Sequence, residues 1–173
     1  MQQNKMGKGM LILAWIIGLG LLTLLFDDQL AKQFNPNSQP ISSTNKGVEE
    51  VRLKQNRAGH YVTGGAINGQ PVVFLLDTGA THVSVPMHLA QQLNLEKGRG
   101  AWVQTANGRI QVAQTNIQRL TIGDIQLQDV RANLNPGFKD NEILLGMSAL
   151  KQLEFTQKGE WLILRNLLTN QTN

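Results

Sequence analysis

A single carboxylate follows an apolar run near the middle of the chain. The run Phe74–Leu76 predicts the end of a buried strand, and Asp77 comes directly after it. A charge beside a dry core is unfavourable unless it is paired, hydrogen-bonded or neutralised. Carboxyl groups held in such places can serve as general acids or bases in hydrolysis. Asp77 is therefore the first candidate for chemistry in this sequence.

The residues after Asp77 favour a sharp turn that leaves the carboxylate accessible. Thr78 carries a small hydroxyl, and Gly79 allows a tight turn and the close approach of another chain or a ligand. Ala80 is small, and a strand-like pattern resumes at Thr81–Val85. The same residues also fit an ordinary turn in which the aspartate bonds its own backbone. These residues alone leave both interpretations open.

Other catalytic chemistries find little support in the sequence. The chain has no cysteine, which excludes thiol nucleophiles and zinc–thiolate sites. His82 and His88 lie near Asp77, but they lack the His-Glu-x-x-His spacing of a helical zinc site. Ser148 is not in a nucleophile elbow, because Leu150 stands where the second glycine is needed. We therefore expect no metal and no cofactor.

The charge of the chain gives no sign of nucleic-acid binding. The formal net charge is +4, and two of the positive charges, Lys5 and Lys8, precede the first apolar run. The remaining basic residues are scattered, with no cluster interleaved with aromatic residues.

The N-terminal part of the chain predicts a membrane anchor. The stretch Met10–Phe26 has no charged residue, which is at the short end of what spans a bilayer as a helix. A removable signal peptide is the alternative, but the run ends without a small-x-small cleavage site. Lysines before the run and acids after it place residues 1–8 in the cytoplasm, residues 9–26 in the membrane as a signal-anchor, and the rest outside.

The remainder divides into a tether, one domain and a tail. Residues 27–47 are polar and rich in Pro, Asn and Ser, which predicts a flexible linker. Residues 48–166 show short runs with a period of two, separated by turns centred on glycine, and two short helical stretches. This pattern predicts an all-β domain, built as a small closed barrel or sandwich. Residues 167–173 are predicted to be a disordered tail.

Three motifs in this order resemble the single lobe of the retropepsin-like aspartic proteases. The first is Leu75-Leu76-Asp77-Thr78-Gly79-Ala80, which matches the family's active-site loop. The second is a hairpin at about Trp102–Ile110 with Asn107-Gly108 at its tip, which matches the flap. The third is Leu144-Leu145-Gly146 before a short helix, which matches the second apolar-Gly element. An anchor before the domain resembles the bacterial, membrane-bound branch of the family.

The resemblance implies a function and a mode of assembly. The family hydrolyses peptide bonds with two aspartates, and this sequence has one Asp-Thr-Gly, so the resemblance implies a homodimer with one Asp77 from each chain. Thr78 would then bond across the axis, Gly79 would admit the substrate backbone, and Trp102, Asn107 and Gly108 would cover the substrate. The implied place is a bacterial inner membrane, crossed once, with the domain in the periplasm. The alternative is a catalytically silent domain of this fold that binds extended peptides or envelope proteins.

Overall fold

A computed structural model describes residues 3–45, 47–105 and 108–167 of the chain. Its elements in chain order are helix α1 (Gln3–Phe34), strands β1 (Ile41–Asn45), β2 (Val48–Lys54), β3 (Val62–Ile67), β4 (Gln70–Leu76) and β5 (Val83–Pro86), a 3₁₀ helix (Met87–Leu89), strands β6 (Gly100–Thr105), β7 (Gly108–Ile122), β8 (Ile125–Asn135) and β9 (Glu142–Leu145), helix α2 (Met147–Leu150), and strands β10 (Glu154–Lys158) and β11 (Trp161–Leu167). The fold is mostly β with two short helices after one N-terminal helix, as the sequence predicted.

The larger sheet closes on itself. Its order is β3-β4-β9-β5-β8-β7-β6, and β3 also pairs with β7 at Ala66–Thr121 and Ile67–Leu120. The strands from β3 to β7 therefore form a ring, and β6 extends from it as the outer strand of a hairpin. Side chains with no exposed surface fill the ring, among them Phe74, Ile117, Ile122 and Ile143. Alternation along the strands points apolar side chains inward, which is why a period of two predicts this core.

The second sheet joins the two ends of the domain. Its order is β1-β2-β11-β10, with all neighbours antiparallel. Val51 and Leu53 of β2 have no exposed surface, because β2 lies between β1 and β11 and packs on the ring. Leu167 still belongs to β11, where it pairs with Val48, so the domain extends at least one residue beyond the predicted boundary at 166. Residues 168–173, most of the predicted tail, lie outside the described residues.

Helix α1 is long and apolar enough to cross a membrane. Its segment Gly7–Phe34 has a window with mean hydropathy 2.4, and none of that window is buried against the rest of the protein. A signal sequence near the N-terminus can have the same length and composition.

The predicted linker is largely ordered. Residues 27–34 continue α1, because they are mostly good helix formers, and the helix ends just before Pro36, which disfavours helix at the residue before it. Residues 41–45 form β1 on the edge of the second sheet, where a polar sequence suffices because the strand pairs along one edge and its side chains, apart from half-buried Ser42, are exposed. A flexible linker over 27–47 is therefore wrong for these two segments.

Between α1 and β1 the chain is fixed to the domain by a buried amide. The Nδ2 group of Asn37 donates to the carbonyl oxygens of Lys54 (2.9 Å) and Val62 (2.7 Å), and its Oδ1 accepts from the Lys54 amide (2.7 Å). The Asn37 carbonyl accepts from the Gly64 amide (2.9 Å) and the Thr63 hydroxyl (3.1 Å). We call residues 35–38, held in this way, the clasp.

The clasp also requires a glycine beneath it. A Cβ atom on Gly64 would collide with the carbonyl oxygen of Ser38. The clasp can therefore lie flat on β3 only because residue 64 has no side chain. This close approach explains one of the two consecutive glycines in a strand that would otherwise favour β-branched residues.

We predict that Asn37→Ala destabilises the domain. The substitution leaves the Lys54 amide and two carbonyls without partners in a site where Asn37 is 4% exposed, so the free energy of unfolding should fall by about 2–3 kcal/mol. The measurement is chemical unfolding of the full chain in mild detergent, followed by tryptophan fluorescence. The matched control is Asn116→Ala on the exposed face of β7, expected to change stability by under about 0.5 kcal/mol. Equal effects of the two substitutions would contradict the clasp.

Candidate active site

The loop that carries Asp77 begins where two parallel strands end together. Strand β4 pairs in parallel with β9, with Leu76 opposite Leu145, and the Asp77 amide donates to the Leu145 carbonyl at 3.2 Å. Strand β9 in turn lies between β4 and β5. The apolar residues Leu75 and Leu144 are also opposite each other, so the two apolar motifs of the sequence form one strand pair.

The carboxylate of Asp77 is restrained on one side and accessible on the other. Its Oδ1 accepts from the Gly79 amide at 2.8 Å, and its backbone carbonyl accepts from the Ala80 amide at 3.2 Å. Asp77 and Ala80 are half-buried, whereas Thr78 and Gly79 are exposed. This is the Asx-type turn that the sequence allowed as an alternative. The turn orients the carboxylate and presents the loop to solvent.

Gly146 and α2 support the loop from below. The first amides of α2 donate to the loop, from Met147 to the Ala80 carbonyl at 2.8 Å and from Ser148 to the Thr81 carbonyl at 3.0 Å. Helix N-terminal amides have no partner within their own helix, so they are free to bind these carbonyls. A Cβ atom on Gly146 would lie 2.6 Å from the Ala80 carbonyl oxygen and would also collide with the carbonyl oxygen of His82. The glycine of the second motif is needed for this close approach.

Ser148 has a positioning role that the sequence analysis did not find. Its buried hydroxyl accepts from the Val83 amide at 2.9 Å and donates to the Arg131 carbonyl at 2.7 Å. It therefore connects the strand after the active-site loop to β8. A small hydroxyl residue in the first turn of a helix is the only sequence signal for this role, and it does not distinguish Ser148 from a capping serine.

The hairpin β6–β7 has one exposed and one half-buried face. Trp102 is 59% exposed, and the guanidinium of Arg109 lies 5.1 Å from the centre of its ring. Val103 and Ile110, directly paired, lie on the opposite, half-buried face. Trp102, predicted from the resemblance to be a flap residue, thus lies on the exposed face of this hairpin. Gly108 begins β7, and its carbonyl accepts from the Thr105 hydroxyl at 2.7 Å. Asn107 lies outside the described residues.

No candidate metal centre is found among residues 3–45, 47–105 and 108–167, where no three potential metal ligands of the His, Cys, Asp or Glu type are grouped. His88 contacts the side chain of Asn141 at 2.9 Å on the surface. The site in one chain thus consists of one oriented carboxylate with its supporting backbone. Such a group can give or take a proton, and amide hydrolysis by carboxylates needs a second one.

Comparison with known proteins identifies this arrangement. Residues 63–152 match the family model described as "gag-polyprotein putative aspartyl protease". The crystal structure of a retropepsin-like aspartic protease from Rickettsia conorii superposes with a TM-score of 0.59 and 29% sequence identity, covering 73% of this chain and 96% of that one. The chain belongs to the retropepsin-like aspartic protease family.

Two curated relatives of this retropepsin-like chain are themselves uncharacterized. A protein encoded in the region 5′ of cobV in Sinorhizobium sp is 31% identical over 135 residues, which is 76% of this chain and 58% of that protein. A protein of Rickettsia prowazekii (strain Madrid E) is 26% identical over 110 residues, 62% of this chain and 47% of that protein. The chain thus spans about half the length of the curated relatives it matches.

One buried polar group borders the site without a partner. The Tyr61 carbonyl accepts from the Leu76 amide at 3.0 Å, directly before Asp77. The Tyr61 hydroxyl is buried and has no hydrogen-bond partner among the described residues. Burial disfavours the charged phenolate and therefore raises the pKa of Tyr61 above its ordinary value of 10.0.

We predict that Gly146→Ala displaces the active-site loop. The added methyl group has no room beside the Ala80 and His82 carbonyls, and overpacking of this kind lowers stability by about 1–3 kcal/mol. A shift of about 1 Å in the Asp77 loop should lower any Asp77-dependent rate by roughly 100-fold. Unfolding and peptide cleavage measured on the same sample test both effects. The control is Gly100→Ala, whose methyl would meet only the movable side-chain amide of Gln111, and a Gly146→Ala variant as stable and active as this control would contradict the close approach.

We predict that Tyr61→Phe removes part of the alkaline sensitivity of the domain. Below the ordinary pKa the neutral hydroxyl is present in folded and unfolded chains, and the variant should be as stable as the wild type or about 1 kcal/mol more stable. As pH rises above 10.0, the unfolded tyrosine ionises while the buried one resists, so the wild type loses stability that the variant keeps. Unfolding curves at pH 8 and pH 11 measure this difference.

Tyrosinate absorbance provides a direct check, because Tyr61 is the single tyrosine of the chain. An ordinary midpoint in the folded protein, or a variant that is clearly less stable at both pH values, would show that the hydroxyl is solvated or bonded in solution.

Proposed function

We propose that this protein is a membrane-anchored aspartic endopeptidase whose dyad forms from the Asp77 residues of two protomers. The observation that carries the proposal is the Asp77 loop itself: an oriented carboxylate with exposed Thr78 and Gly79 beside it, present once per chain. A domain that only binds peptides has no need for a carboxylate held in this way. Family membership supports a peptide as the substrate.

The chemistry follows from bringing two such carboxylates together. Two carboxyl groups in contact cannot both be ionised, so the pair shares one proton. The ionised group takes a proton from a bound water, and this water attacks the scissile carbonyl carbon. The protonated group gives its proton to the carbonyl oxygen, which becomes one hydroxyl group of the gem-diol intermediate. The nitrogen then receives a proton as it leaves, and the roles of the two groups exchange. Because this mechanism needs one protonated and one ionised carboxyl group, the rate of cleavage should show a bell-shaped dependence on pH.

The surroundings of Asp77 suggest how a peptide would be held. An extended substrate would lie between the active-site loop and the half-buried face of the β6–β7 hairpin, with Val103 and Ile110 towards it. Thr78 would bond across the two-fold axis, and Gly108 would belong to the flap. Trp102, with Arg109 stacked on it, lies on the outer face and is better placed to stiffen the hairpin than to contact substrate.

The membrane would favour assembly of the dyad. We propose that residues 9–26 anchor the protein in a bacterial inner membrane, with Lys5 and Lys8 on the cytoplasmic side and the domain in the periplasm. Two parallel anchors require a dimer axis normal to the membrane. Confinement in two dimensions raises the effective concentration of one protomer around another, so dimer formation is a natural control point.

We predict that Asp77→Asn abolishes peptide cleavage. The full chain in mild detergent is incubated with a diverse peptide mixture from acidic to neutral pH, and products are read by mass spectrometry. The amide can neither accept nor donate the catalytic proton, so cleavage should fall by at least about 1,000-fold. Asp124→Asn, in the exposed turn before β8, is the matched control and should cleave like the wild type. An Asp77→Asn variant that cleaves peptides at the wild-type rate would refute the aspartic mechanism.

A mixing experiment tests the shared dyad. Wild-type and Asp77→Asn chains are combined in varying proportions, allowed to exchange, and assayed on one cleaved peptide. If each dyad needs two intact aspartates, activity should follow the square of the wild-type fraction, whereas independent sites would give a straight line. Peptide binding by the dimer without cleavage at any pH would instead favour the silent binding domain.

A further inference from the structure

The segment that connects the membrane helix α1 to the domain is too short to act as a flexible linker. Helix α1 ends at Phe34, and the Asn35 amide still donates to the Ala31 carbonyl at 2.9 Å in helical fashion. Asn37 is already buried in the clasp. Only Asn35 and Pro36 lie between, and the Asn35 side chain accepts from the Asn37 amide at 3.0 Å while the ring of Pro36 fixes its own φ.

Further contacts hold the end of α1 against the domain. The Asn56 side chain donates to the Phe34 carbonyl at 3.0 Å, and the Arg57 guanidinium lies 3.4 Å from the Gln33 side-chain oxygen. Phe34 also lines a groove of about 280 Å³ together with Pro71, Val72 and Val73 of β4. The turn between β2 and β3 and the first half of β4 therefore face the end of the helix.

These contacts set an upper limit on the height of Asp77 above the bilayer. From Asp27 to Phe34 the helix extends about 12 Å beyond its apolar run, at roughly 1.5 Å per residue. From Pro71, in the groove wall beside Phe34, to Asp77 the strand spans about 20 Å, at roughly 3.3 Å per residue. Allowing for the width of the groove, Asp77 lies within roughly 40 Å of the lipid hydrocarbon, whatever the tilt of the domain.

We infer that the substrates are membrane-attached proteins, cut in extended segments close to the bilayer surface. This inference rests on the proposed function and adds the position of the scissile bond. A chain that leaves the membrane in extended form covers roughly 40 Å in about a dozen residues. A flexible linker would let the active site move far from the bilayer surface. The clasp prevents this movement because it fixes the domain to the end of helix α1.

The test uses two reporters, each with one membrane span, reconstituted with the full chain in vesicles. Both carry the peptide sequence that is cut best in the peptide-mixture digestion. In the proximal reporter it begins about eight residues after the span, and in the distal one it follows a semi-rigid helical spacer of about 40 residues, roughly 60 Å long. In vesicles we expect the proximal reporter to be cut at least about tenfold faster than the distal one. In detergent, where enzyme and reporter no longer lie in one membrane, we expect both reporters to be cut at the same rate.

A variant with a flexible insertion isolates the role of the clasp. About 40 Gly and Ser residues between Phe34 and Asn35 leave Asn37 and its partners in place but give the domain an average reach of roughly 35 Å more. The insertion should reduce the preference for the proximal reporter to under about threefold. Equal cutting of both reporters by the wild type in vesicles would overturn the inference and leave the proposed function standing. Absence of Asp77-dependent cutting of any reporter or peptide would overturn both.

Discussion

The site depends on the parallel pairing of β4 with β9. This pairing brings helix α2, which follows β9, against the loop that follows β4. Two strands from distant parts of the chain end side by side at Leu76 and Leu145. The backbone that follows each strand then bonds the other, through the Met147 and Ser148 amides and the Ala80 and Thr81 carbonyls. The amides at the start of the four-residue helix α2 thus bind the two carbonyls of the loop that face it.

This arrangement explains why one acidic residue can be both oriented and accessible. Helix α2 holds the loop through backbone hydrogen bonds, so the loop needs no side-chain partner on the side that faces solvent. The Asp77 carboxylate uses one oxygen to close its own turn, and the other oxygen has no hydrogen-bond partner among the residues that the structure describes. Glycine at position 146 makes this geometry possible, since any side chain would separate the two halves of the site. The backbone of one chain thus supports a single accessible carboxylate.

The sequence was informative where chemistry and structure are local. The apolar run into Asp77, the apolar run into Gly146 and the hairpin at Gly108 are each visible in a few consecutive residues. The clasp was not predictable, because Asn37 in a polar segment gives no sign of the Lys54 and Val62 backbone groups that it meets. Ser148 and the orphan hydroxyl of Tyr61 were missed for the same reason. The outward direction of Trp102 depends on which face of the hairpin packs on the barrel, and alternation alone does not decide between the two faces.

The order of strands in the smaller sheet has a consequence for biosynthesis. Strand β2 is among the first to be made, yet its inner neighbour, β11, is the last strand of the domain. Val51 and Leu53 therefore stay uncovered on that side until almost the whole domain has been synthesised, and closing such a long loop is slow. A nascent chain would carry an open β2 edge during this interval. Pairing of the C-terminal hairpin, far in sequence from Asp77, should accordingly be the step that completes folding of the domain.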